Sequence, residues 1–236
     1  NSEEKEQKSL FLLLNDIIKN NSGPFYFIDF HTTSSKTLPF ITINDALINR
    51  KYSMQFPVPI VLGIEEYLNG PLLSYINQLG YVSLGFESGQ HEEEEAITNC
   101  LSFIYLALVS SNAIAIEKII GFPIYFNQLK AQSNNLAEVF EVIYLHRIQK
   151  GEDFKMKEGF KSFQNIKKDI VLAISNGKPV LSKFKAKLFM PLYQSKGKEG
   201  YFIIKRINPV FLSLSAILRK MKTDSLLTLL PGVFWE

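Results

Sequence analysis

Asp29 and His31 stand two residues apart at the close of an aromatic, apolar run that begins at Phe25, and four hydroxyl residues, Thr32 to Ser35, follow them. On a strand, successive side chains point to opposite faces. Asp29 and His31 would then share one face, while Ile28 and Phe30 turn to the other and into packing. A buried strand that delivers a carboxylate and an imidazole at its C-terminal end matches where α/β proteins place ligand chemistry. The sequence holds three histidines in 236 residues, which adds weight to this one. Two readings stay open for His31. One is a core histidine hydrogen-bonded to Asp29. The other is a metal ligand whose tautomer Asp29 fixes, with Thr32, Thr33 and Ser34 lining the site.

A second carboxylate ends a second apolar run. Tyr81 to Phe86 reads as a strand, and Glu87-Ser88-Gly89-Gln90 as the turn after it. A glutamate there suits a general base acting on a water. It equally suits an N-terminal cap for the helix expected to begin at Glu92. The spacing His91-x-x-Glu94 matches some zinc sites, but it lies in an acidic helix start, where negative charge suits the helix dipole. His146 reads as structural or surface. Cys100, the sole cysteine, reads as a core residue; a disulfide framework and a cysteine-rich zinc site are excluded.

These residues need elements to position them. Lys8 to Lys19 has helical spacing in Leu10, Leu13, Leu14, Ile17 and Ile18, and Asn20 to Pro24 stops it. Strands are expected at Phe25 to Phe30, Pro57 to Leu62 and Tyr81 to Phe86. Thr32 to Ser53 reads as irregular, with a helix near Asn44 to Asn49. Glu65 to Leu79 reads as a helix broken near Gly70-Pro71. Glu92 to Ser110 reads as a long helix that buries Ile97, Cys100, Leu101, Ile104, Tyr105 and Leu108. The alternation predicts a parallel sheet covered by helices. After about Leu136 short strands follow: Phe140 to His146, Gly159 to Phe163, Ile170 to Ile174, Lys178 to Leu181, Lys187 to Met190 and Tyr201 to Ile207. The tail from Phe211 to Leu230 has helical spacing. The division expected is an α/β domain over 1–136 and a smaller β-rich domain over 137–236.

Hydrophobic residues make up 46% of the chain and charged ones 21%, which is ordinary for a globular protein. A net charge of +3 gives no argument for nucleic acid. The longest apolar run falls short of the roughly 20 residues a membrane span needs. No signal peptide is visible, and a cytoplasmic location is expected. The chain starts without Met and ends in apolar sequence, so both ends read as cuts.

Three segments together resemble the succinylglutamate desuccinylase/aspartoacylase family. Ile28-Asp29-Phe30-His31-Thr32-Thr33-Ser34-Ser35 resembles its Asp-Leu-His-x-Thr-x-Ser segment. Gly85-Phe86-Glu87-Ser88-Gly89 resembles its catalytic Gly-x-Glu-x-Gly segment. Phe160 to Ile207, with Asn176-Gly177-Lys178 and Met190-Pro191-Leu192-Tyr193-Gln194, is similar to the β-rich C-terminal domain of bacterial members. The resemblance implies a zinc-exopeptidase-like α/β fold followed by the smaller β-rich domain. It implies one Zn²⁺ with His31 as a ligand, and Glu87 as the group that activates water. Asp29, Thr32, Thr33 and Tyr201 would contact substrate or support the site. The implied reaction is hydrolysis of a small-molecule N-acyl amino acid to a carboxylate and a free amino acid.

Two family features are not in these residues. The Gly-x-His-Gly-Asn-Glu segment with the first two zinc ligands is not found, and no arginine can be assigned to grip a substrate carboxylate. A lone His31 falls short of the three protein ligands of a catalytic zinc, so the chain as given is expected to bind zinc poorly. Two other classes are set against the enzyme. One is a carrier or binding module of biotinyl/lipoyl type, whose modified lysine the surroundings of Lys183 and Lys185 do not match. The other is a non-catalytic relative in which His31 and Glu87 only pack. Oligomeric state is open.

Overall fold

A computed structural model describes residues 2–67, 72–194 and 197–220. The aromatic and β-branched run after the Gly23-Pro24 stop forms strand β1 (Tyr26–Thr33), which continues through His31 instead of ending before it. Phe40-Ile41-Thr42-Ile43 forms β2 (Phe40–Ile43), where the sequence reading had irregular chain. β3 (Ile60–Leu62) follows helix α2 (Leu47–Ser53). β4 (Val82–Gln90) runs on through the four residues expected to turn.

β1 and β4 are parallel, β2 and β3 are parallel, and β2 meets β4 antiparallel. The sheet is therefore mixed, not wholly parallel. β5 (Val139–Arg147) pairs with β3 in parallel. β11 (Glu199–Arg206), β10 (Ala186–Phe189) and β7 (Asn165–Ile166) extend the same sheet to eight strands in the order β1-β4-β2-β3-β5-β11-β10-β7. A second sheet of three antiparallel strands holds β6 (Phe154–Met156), β8 (Val171–Ser175) and β9 (Lys178–Leu181). The α/β sheet with flanking helices and a smaller β-rich unit is the fold class the sequence predicts. The strand expected at Gly159 to Phe163 is not formed. Phe163 instead takes a left-handed φ of 63°, rare for a bulky residue, while its N–H bonds to Leu188 O at 2.8 Å.

Alternation divides the large sheet into two faces. Ile28, Leu84, Phe86, Ile41, Ile43, Ile60 and Leu62 face one core. Helices α2, α4 (Glu94–Ser110) and α5 (Phe122–Gln132) pack there. Phe103 of α4 stacks on Phe86 at 4.0 Å and on Phe56 at 4.4 Å. Burying each such ring contributes about 1.5–3 kcal/mol. The opposite face presents Asp29, His31, Gly85, Glu87, Phe40, Thr42, Val61 and Phe140 by register. Phe40, Val61 and Phe140 belong to a second core with Phe163, Phe189 and Phe202. Helix α3 (Leu72–Gln78) borders that face, with Leu73 O accepting from Ser83 Oγ at 2.9 Å.

α4 buries a different face from the one its large apolar residues predict. Ala96, Asn99, Ser102, Phe103, Leu106 and Ala107 are inside, while Ile97, Leu101 and Ile104 are exposed. α1 (Ser2–Asn20) likewise buries Leu14, with Leu10, Leu13 and Ile17 exposed. The sequence tail forms α6 (Pro209–Lys220) as far as the described residues go; 221–236 lie outside them. Among the described residues no helix is long and apolar enough to cross a membrane.

Candidate active site

The parallel register of β1 and β4 sets His31 beside Glu87 and Asp29 beside Gly85. Asp29 and His31 share a face because they are two residues apart, and Glu87 joins them as the cross-strand neighbour on that face. The Asp29 and His31 side chains meet at 2.7 Å, His31 Nε2 to Asp29 Oδ2, both partly open to solvent. Glu87 is half-buried. Its Oε2 is enclosed without a hydrogen-bond partner among the described residues.

The electrostatics follow from this arrangement. Burial pushes Glu87 up to about 7; the His31 charge opposes the shift and the Asp29 charge adds to it. Burial works to lower the His31 imidazole, but the hydrogen bond and charge of Asp29, with the charge of Glu87, outweigh it and raise the group above its ordinary value. A carboxyl held near neutrality beside an imidazole is the arrangement acid–base catalysis needs. Phe40, fully buried, lies across from Glu87 in the β2–β4 register, and contributes apolar surroundings on that side.

Close backbone packing holds β4 in place. A Cβ on Gly85 would lie 2.6 Å from Thr42 Oγ1, so a larger residue there would force that threonine to shift. Beyond Glu87, Ser88 Oγ donates to His31 O at 3.2 Å, and Asn99 Nδ2 donates to Ser88 O at 2.9 Å. Asn99 is buried in α4 and ties that helix to the strand carrying Glu87. Sequence reasoning missed both Thr42 and Asn99. The available signals were a glycine inside a strand and a polar residue repeating at helical spacing with Phe103 and Leu106.

The other expected site residues lie elsewhere. Thr32 faces away from His31, its Oγ1 2.7 Å from His91 Nδ1. It lines a cavity of about 230 Å³ with Ser88, Ile97 and Cys100. Thr33 is buried and donates to Ser35 O at 2.7 Å, which shapes the chain leaving β1. Tyr201 belongs to another core, stacked on His146 at 5.2 Å. Among the described residues no group of three His, Cys, Asp or Glu side chains is arranged to hold a metal. His31 Nε2 is committed to Asp29. These donors do not fit a complete zinc centre, and no step below passes through a metal.

No family model matches the sequence, and no curated protein matches it. Solved structures do. A succinylglutamate desuccinylase from Vibrio parahaemolyticus aligns over 85% of this chain and 60% of its own, with 12% identity and a TM-score of 0.53. A succinylglutamate desuccinylase/aspartoacylase from Rhodobacter sphaeroides aligns over 78% and 58%, with 14% identity and a TM-score of 0.56. An aspartoacylase family protein from Mesorhizobium loti aligns over 77% and 57%, with 11% identity and a TM-score of 0.52. The fold is that of these structures, and the chain spans about 60% of their length.

Proposed function

We propose that the chain is an amide hydrolase of the desuccinylase/aspartoacylase kind, cleaving a small N-acyl amino acid. The observation that carries the reading is the enclosed Oε2 of Glu87, without a hydrogen-bond partner among the described residues, set by register beside the His31–Asp29 pair. The fold shared with such proteins supports it.

Glu87 in its ionised form takes a proton from a water whose oxygen attacks the acyl carbonyl carbon. The C–N bond then breaks, and Glu87 returns the proton to the leaving nitrogen. Its value near neutrality suits both halves, since one group must accept and then donate. His31, kept cationic more readily by Asp29, faces the oxygen on which negative charge develops. Zinc is outside these steps.

The test is amine release from a panel of N-acyl amino acids by the wild-type chain and by Glu87→Gln. Removing a general base is expected to cost about 10²–10⁴-fold, with the circular dichroism spectrum unchanged. Equal rates in the two proteins would refute the assignment.

A further inference from the structure

The register between β1 and β4 slips immediately beyond the pair at the site. His31 stands opposite Glu87 and Thr33 opposite Gln90, so Ser88 and Gly89 of β4 together face Thr32 of β1. An extra residue of this kind is a β-bulge, which re-aims side chains and recurs beside active sites. Gly89 takes a φ of 145° there, a conformation that suits glycine. β2 accompanies β4 only as far as Glu87, which it meets through Phe40.

Side chains fasten the bulge where the strands part. Ser88 is fully buried, and its hydroxyl donates to the backbone oxygen of His31 at 3.2 Å. That bond joins the residue after Glu87 to His31 itself. Ser88 O accepts from Asn99 Nδ2 at 2.9 Å, and Asn99 Oδ1 accepts from Gln128 Nε2 at 3.3 Å. On the exit side, Gln90 N–H donates to Glu93 Oε2 at 3.2 Å. Asn99 lies on the face of α4 that also buries Phe103 and Leu106. A buried amide there costs free energy unless its donor and acceptor are both satisfied. Both are, one on the site strand and one on α5. Hydrogen bonds therefore run from α5 through α4 and β4 to the backbone of His31.

Resting on the hydrolase reading above, we infer that Ser88 and Asn99 are positioning residues: through the bulge after Glu87 they set that carboxyl against His31. Neighbouring residues on a strand point to opposite faces, so Ser88 works from the helix-covered side of the sheet while Glu87 faces the site.

The experiment compares amine release and urea unfolding in the wild-type chain, Ser88→Ala and Ser88→Thr. Alanine deletes the donor to His31 O. Threonine keeps it, and its added methyl has room because Ser88 lines the cavity of about 230 Å³ shared with Thr32 and Cys100. A misplacement of about 1 Å can cost about 10²-fold in rate. Ser88→Ala is accordingly expected to lower kcat by about tenfold or more with KM within about twofold, and Ser88→Thr to bring kcat back to within about threefold of wild type. Ser88→Cys, close in size but a weaker donor, should fall between them and stands in for alanine should that variant not fold. A wild-type kcat in Ser88→Ala, or a loss that Ser88→Thr shares, overturns the inference and leaves the hydrolase reading standing. Asn99→Leu should lower kcat in the same way, and a wild-type kcat there overturns the part given to Asn99. No release from any N-acyl amino acid by the wild-type chain overturns the hydrolase reading, and NMR then tests the positioning without turnover. The cross-strand NOE between the His31 and Glu87 side chains is expected in wild type and Ser88→Thr and lost in Ser88→Ala. Its presence in all three, or its absence from wild type, contradicts the inference.

Discussion

Glu87 and Glu65 are two enclosed carboxyls at opposite ends of one sheet. Each has an Oε2 with no hydrogen-bond partner among the described residues, and burial pushes each up to about 7. Their neighbourhoods differ. Around Glu65 the charge is closed off: Asp45 takes Arg50 and Arg219 and is thereby held below the usual carboxylate range against the effect of its burial. That end clasps α6 to the loop after β2. Around Glu87 the partners are an imidazole and a carboxylate that stay partly open to solvent. A raised carboxyl alone therefore does not mark a site. A raised carboxyl beside an accessible imidazole, at the C-terminal ends of two parallel strands, is the arrangement we propose as the site.

Breaking the comparison begins with the pair around Glu87. Replacing His31 by Ala, or Asp29 by Asn, is expected to lower amine release by about 10–100-fold, the usual cost of removing a group that orients or supports a reactive one. Glu65→Gln should leave the rate unchanged; a comparable loss there would mean the two ends are not functionally distinct. Next in size is Gly85→Ala. Its Cβ meets Thr42 Oγ1, and overpacking of this kind costs about 1–3 kcal/mol, read by urea denaturation. Thr42→Ala in the same chain should restore most of it.

The pH response of Glu65 sharpens the comparison further. Its folded value is raised above the ordinary 4.5. The native state therefore holds a proton that the unfolded chain has lost. That contribution is whole below the ordinary value and disappears as pH rises through about 7. Glu65→Gln should raise the melting temperature at about pH 8 and make little difference at about pH 4, where a flat difference across the range would contradict it. Smallest in effect is metal content. After dialysis against zinc and then buffer, the chain should carry well under one zinc per molecule, because His31 stands short of the three ligands required. Stoichiometric zinc would show that donors near His31 have been misjudged.

The Asp-x-His and Glu at strand ends were legible in the sequence because a period of two fixes which residues share a face. The register that sets His31 against Glu87 was not, since it depends on a parallel pairing between segments some fifty residues apart. β2 is four residues long, too short for alternation to distinguish it from loop. α4 misled for a physical reason. Its apolar residues cover most of its surface, and the largest of them suggest one face. The sheet accepts the other, where Ala96 packs 3.5 Å from the Cβ position of Gly89 and Asn99 reaches Ser88 O. Close approach and a polar tie decided the orientation over bulk. The strand expected near Phe163 failed similarly, because Ser162 N–H goes to Lys36 O and not to a ladder.

The central claim is that Glu87 moves a proton while water attacks the amide. A single turnover in H₂¹⁸O, with enzyme in excess over an N-acyl amino acid, tests it most directly. The account predicts one ¹⁸O in the released carboxylic acid and none in the protein. Unlabelled acid, with the label found in the peptide that carries Glu87, would show that this carboxylate attacks the substrate itself and would contradict the account.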